Sequence, residues 1–118
     1  MAGLLLAEAI AFALAALTHY GIIPLGLDDS AAAIAETSIT TVLLVGAWLV
    51  HTRPTWARRA AIAAQGYALA GATLGLVIFL RVDPDKVADI VYHAVMVVVL
   101  IAGIVLAIRL PRRTPADG

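Results

Sequence analysis

There is no cysteine among the 118 residues of this chain. Disulfides, thiolate metal ligands, thiol nucleophiles and haem attached through a CxxCH motif are therefore excluded. Charge is scarce as well: charged residues make up 14% and aromatic residues 6%, against 63% hydrophobic residues and a mean hydropathy of +1.00. A soluble domain of this length has too little polar surface to cover so much apolar side chain, so the composition is that of a membrane protein. Eight basic residues balance eight acidic ones, which leaves no electrostatic footprint for a nucleic acid. Also missing are a phosphate-binding glycine loop, an HExxH pair and a nucleophile elbow, so no catalytic residue can be named and enzyme activity is left open. The first stretch, MAGLLLAEAI, lacks a basic n-region and is interrupted by Glu8. It reads as a retained span rather than a signal peptide.

What is present is four apolar segments, residues 2–23, 30–51, 55–80 and 84–110. Each reaches the ~20 residues that ~30 Å of hydrocarbon requires. The connections between them are short, which makes consecutive helices antiparallel neighbours. The expected architecture is all-α: a transmembrane four-helix up-down-up-down bundle, one domain over residues 1–110, with a short polar tail at 111–118. Asp28, Asp29 or Ser30 can cap the second helix, Asp83 before Pro84 reads as the start of the fourth, and Pro111 closes it. Six of the eight basic residues, Arg53, Arg58, Arg59, Arg109, Arg112 and Arg113, fall at one end of the bundle. Arg81 and Lys86 fall at the other, among Asp28, Asp29, Asp83, Asp85 and Asp89. This asymmetry predicts that both termini and the tail are cytoplasmic. Tyr20, Trp56 and His51 suit the membrane interfaces.

The remaining polar residues lie inside the spans, where ionisable groups are costly unless they face the interior and find partners. Counting from the outer ends places His19, Glu36 and His93 in one layer on three different helices, with Asp89 a turn above His93. Two imidazoles and a carboxylate at one depth match the ligand set of a divalent transition metal (copper, iron or zinc), with Asp89 or Tyr92 as a supporting or additional ligand. Met96, a turn below His93, is a further soft ligand for copper or simply core. Each residue also has a plainer role. His19 suits the last turn of its helix, His93 can hydrogen-bond Asp89, and Glu36 can pair with either histidine to fix helix register.

A second layer follows from the first helix alone. Glu8 and His19 share a face, with Glu8 ~16 Å deeper at ~1.5 Å per residue. Gln65 reaches the same depth, so a protonated Glu8 hydrogen-bonded to Gln65, with Tyr67 or Thr41 nearby, satisfies both groups. The alternative is a proton-carrying Glu8 joined to the outer layer by waters. The spacing GATLG, Gly71 to Gly75, permits close approach of another helix or a flat ligand to the third helix.

At AEAIAFALAALTHYG, AIAET, AQGYALAG and DIVYH the chain resembles a group of small four-helix integral membrane proteins from high-GC bacteria. The resemblance spans nearly the whole chain and implies the same fold and a multi-pass location in the bacterial inner membrane; it carries no established activity. The leading expectation is a metal-binding module used for binding, transport or redox chemistry. One rival is a b-type haem electron-transfer protein ligated by His19 and His93, with the third-helix glycines admitting the porphyrin. Another is a homodimeric, proton-coupled transporter or channel using Glu8 and Glu36. A non-catalytic membrane partner whose polar residues only specify packing completes the set. The lipid bilayer and a second copy of the chain are the expected partners.

Overall fold

The computed structural model describes residues 1–117. Its four long helices run antiparallel in sequence order: α1 (Ala2–His19), α2 (Ser30–Thr52), α3 (Ala57–Val82) and α4 (Val87–Ile108). A single 3-10 turn, Pro115–Asp117, lies in the polar tail, whose last residue falls outside the described residues. Each helix is long and apolar enough to cross a membrane, and only 33% of the span in α1 and α2 and 28% in α3 and α4 is buried within the bundle. The outward faces carry Leu6, Ile10, Leu44, Leu74, Val98 and Ile101. A helix apolar on all sides belongs in lipid. The chain is a multi-pass, all-α membrane protein.

The inward faces follow the helical period. On α4 the buried positions Asp89, His93, Met96, Leu100, Gly103 and Ala107 step alternately by four and three residues. On α1 they are Leu5, Glu8, Ala9, Phe12, Ala16 and His19. That is the seam of left-handed helix packing. α1 packs on α2, α2 on α3 and α3 on α4, whereas the backbones of α1 and α4 approach at almost no point. α1 and α4 meet through side chains instead, Phe12 against Tyr92 among them.

Small residues set the tightest of these contacts. α3 turns Ala60, Ala61, Ala64, Ala68 and Ala72 inward, and a Cβ on Gly46 of α2 would come within 2.6 Å of the Ala64 Cβ. Neither atom can swing away. Gly46→Val is expected to force α2 and α3 apart and to cost about 1–3 kcal/mol, measured as a lowered unfolding midpoint in detergent.

Two helix ends differ from the sequence-based boundaries by three residues or more, and both differences move the site. α1 stops at His19, a turn short of the expected residue 23. Gly21 has φ +77°, and the Ile22 and Gly21 N–H groups donate to the Leu17 and Thr18 carbonyls at 3.0 and 3.1 Å. This left-handed glycine closure terminates a helix regardless of how apolar the following residues are. His19 thus sits in the last turn rather than below it. α4 starts at Val87, not at Pro84. The Lys86 N–H donates to the Asp83 carbonyl at 3.0 Å, so Asp83–Pro84 opens a turn of the kind that favours proline in its second position. Of the three candidate caps for α2, Asp29 does the work: its Oδ1 accepts from the Ala32 N–H at 3.1 Å.

Candidate functional site: a carboxylate–imidazole–carboxylate cluster

Because α1 ends at His19, the imidazole points into the outer mouth of the bundle between α2 and α4. Its Nδ1 lies 2.7 Å from Glu36 Oε2 and its Nε2 lies 2.7 Å from Asp89 Oδ1. His19, Glu36 and Asp89 are between 2% and 4% exposed, so one buried ring ties three helices together. A carboxylate only accepts hydrogen bonds, so the two contacts hold two shared protons. Whether these reside on the ring or one sits on a carboxyl, the trio carries one net negative charge. The distances are those of charge-assisted bonds.

His93 is close by but outside this trio. Its Nδ1 is 2.7 Å from the Asp89 backbone carbonyl, an acceptor only, so Nδ1 carries the proton and Nε2 of the neutral ring presents a lone pair. Phe79 packs on both imidazoles, stacked on His19 at 6.5 Å between centroids and tilted on His93 at 5.2 Å. Lys86 lies over the same Phe79 ring, 5.5 Å from its centroid, and within 3.9 Å of Asp29. Tyr92 packs edge-on against His93 and Phe12. Four buried side-chain oxygens have no hydrogen-bond partner among the described residues: Glu36 Oε1, Asp89 Oδ2 and the Tyr92 hydroxyl here, and Gln65 Oε1 deeper in the bundle.

The His19, Glu36 and His93 grouping expected as a metal site is thereby rearranged. Asp89, expected as a supporting group, is a direct partner of His19, and His93 turns its protonated nitrogen to the backbone. With both His19 nitrogens taken by carboxylates, no lone pair on that ring is free for a metal. Among the described residues no group of three His, Asp or Glu side chains is arranged to hold an ion. A haem held by His19 and His93 requires a free nitrogen on each ring and a slot for the macrocycle between them. The first is missing on His19, whose two nitrogens are both engaged. The residues present fit neither group in this arrangement. Met96 is 5% exposed and belongs to the apolar core.

The expected Glu8–Gln65 pair of the inner layer forms, without Tyr67 or Thr41 beside it. Gln65 Nε2 donates to Glu8 Oε1 and Oε2 at 3.0 and 3.2 Å. Gly103 of α4 leaves the space this amide occupies, since a Cβ there would collide with Gln65 Nε2. Tyr67, however, is not part of the layer: it is half exposed and its hydroxyl lies 2.6 Å from Ser38 Oγ. Two residues advance a helix by ~200°, so Tyr67 and Gln65 face opposite ways. Thr41 is exposed and donates to the Thr37 carbonyl instead.

Phe79 was absent from the sequence-based site. It lies four residues beyond Gly75, and eight beyond Gly71, on the face those glycines mark. That spacing was the available signal. The glycines themselves admit side chains rather than a helix backbone: a Cβ on Gly71 would meet Ile39 Cδ1, and one on Gly75 would meet His93 Nε2, each at 2.6 Å. No family model, curated protein or solved structure matches the chain.

Proposed function

We propose that this protein is a membrane-embedded proton-exchange module, of the kind that couples proton movement to transport, with Glu36, His19 and Asp89 as the exchanging site. The observation that carries the reading is the single imidazole bridging two buried carboxylates through both of its nitrogens. A net charge of −1 in a low-dielectric setting is costly, and one added proton removes it. The cluster therefore has two accessible proton contents. Glu36 meets His19 from α1 and Asp89 from α4, with His93 and Tyr92 beside them; Asp29 stands at the head of its own helix with Lys86, from the start of α4, within 3.9 Å of it, and the charged residues of α3, Arg58, Arg59 and Arg81, lie near its ends. The arginine asymmetry supports an orientation with both termini cytoplasmic and the cluster toward the outer face of a bacterial inner membrane.

Glu8 takes a different role in this reading. Both of its oxygens accept from Gln65, and the buried Phe12, Ala68 and Met96 separate it from the cluster. Passage to the other side of the membrane then calls on a second copy of the chain or a rearrangement of this one.

Infrared difference spectroscopy of the protein in lipid, stepped through pH, tests the assignment. A carboxyl C=O band of a poorly hydrated acid is expected to grow on acidification, to be lost or displaced in Glu36→Gln and Asp89→Asn, and to persist in Glu8→Gln. The assignment fails if no such band changes, or if both cluster variants leave it as it was.

A further inference from the structure

Between the outer halves of α2 and α3 a slot of about 200 Å³ runs from the lipid-facing surface to the bundle axis. Its lip is formed by Ala31, Ala35 and Leu74, which are exposed, and its inner end by Phe12, Phe79, Glu36 and His93, which are buried. The small side chains of Ala31, Ala32, Ala35, Gly71 and Gly75 keep it open where larger ones would close it. Two polar atoms without partners belong to residues at its inner end: Glu36 Oε1, buried and unpaired, and His93 Nε2, which makes no hydrogen bond among the described residues and rests against Gly75.

Both atoms are acceptors. Glu36 donates nothing while ionised, and the proton on Nδ1 leaves Nε2 of His93 as a lone pair. A ligand suited to this slot therefore brings hydrogen-bond donors. The cluster behind Glu36 carries one negative charge, so a positive charge is favoured over a neutral hydroxyl. An engineered cavity of about 150 Å³ accepts benzene, so the slot has room for one ring with a short substituent. Its open lip lets a longer apolar body lie out among the lipid tails.

We infer that the α2/α3 slot is a lateral binding site for a membrane-soluble protonated amine, its N–H groups donating to Glu36 Oε1 and His93 Nε2. The inference deepens the proton-exchange reading and rests on it. The ammonium and the added proton neutralise the same negative charge, so each displaces the other: when the amine docks on the cluster in its proton-added form, that added proton goes to water, and when the proton returns the amine leaves. No bond other than the exchanged O–H or N–H is made or broken. The protein would thereby exchange a lipophilic ammonium for a proton.

The test uses the full chain in lipid nanodiscs with benzylamine as probe and benzyl alcohol as its uncharged counterpart, followed by isothermal titration in two buffers of different ionisation enthalpy. Saturable binding of one benzylammonium is expected, at least tenfold weaker in Glu36→Gln and with benzyl alcohol failing to compete; a proton is released on the acid side of the infrared transition, where the cluster holds the added proton, and none on the alkaline side. Ala35→Phe, at an exposed position on the lip, provides a second variant should Glu36→Gln not fold, and is also expected to weaken binding at least tenfold. Equal binding of benzyl alcohol, or benzylamine binding that neither variant changes, overturns the inference. Absence of benzylamine binding in a protein whose infrared carboxyl band responds to pH overturns the amine site alone and leaves the proton-exchange reading standing. Loss of that band removes the reading on which the site rests.

Discussion

His19→Ala is expected to destabilise the protein more than any other single substitution in the bundle. The alanine removes the only hydrogen-bond donor that Glu36 Oε2 and Asp89 Oδ1 possess. It leaves two carboxylates, each almost wholly buried, facing one another across a vacated ring. Breaking a buried ion pair by deleting one partner typically costs about 3–5 kcal/mol, because the surviving charge stays in a low dielectric without compensation. Here two charges survive. Loss of the stacking contact with Phe79 adds a cavity to the electrostatic cost.

The double variant Glu36→Gln/Asp89→Asn separates charge from shape. A neutral imidazole has one N–H and one lone pair, and an amide can offer its carbonyl to the first and its NH2 to the second. The network can thus be rebuilt with zero net charge, and this variant is expected to lie closer in stability to the parent than His19→Ala does. Reversible unfolding in detergent, followed by circular dichroism, measures both. If His19→Ala unfolds within 1 kcal/mol (roughly fivefold) of the parent, the two short contacts do not hold the outer ends of α1, α2 and α4 together. Proton exchange is expected to be lost in both variants, so stability and exchange separate in the double variant but not in His19→Ala.

Gln65→Leu is the second large effect. Leucine nearly matches glutamine in shape, so packing in the slot left by Gly103 is largely kept. The amide that donates to both oxygens of Glu8 is removed. Glu8 is 2% exposed and Gln65 is fully buried, so no water takes the donor's place without entering the core. Leaving a buried acceptor unpaired costs about 1–3 kcal/mol, and more if it is charged. Replacing both partners by apolar groups of similar shape is close to neutral by the same reasoning. Glu8→Leu/Gln65→Leu is therefore expected to recover most of the loss, and the same unfolding measurement reads it. If Gln65→Leu alone is as stable as the parent, the pair contributes nothing to holding α1 on α3. If the double variant is the worse of the two, Glu8 does something that packing does not describe.

The inner layer shows how far the sequence reaches. Glu8 and Gln65 could be matched because each lies near the middle of its helix, where a shift of a few residues at the helix ends hardly alters depth. Both also sit on faces whose period is legible: Leu5, Glu8, Phe12 and His19 on α1, and Ala61, Gln65, Ala68 and Ala72 on α3. The outer layer lies at the helix ends, where small boundary shifts matter most. Gly21 stopping α1 at His19, and the Asp83–Pro84 turn delaying α4 to Val87, each moved a donor or acceptor by a turn or nearly so.

Composition and periodicity by themselves determined that the chain is a membrane protein and that it has four antiparallel helices. These are local properties, fixed by hydrophobicity and by 3.6 residues per turn. The tertiary structure alone decided which inward residues touch. Asp89 rather than His93 completes the pair begun by His19 and Glu36, Phe79 packs on both imidazoles, and Tyr67 turns away to Ser38. The rotation of each helix about its own axis selects among neighbours on one face. That rotation is set by how Gly46, Gly75 and Gly103 let particular side chains of adjacent helices come close, and no period along a single helix encodes it.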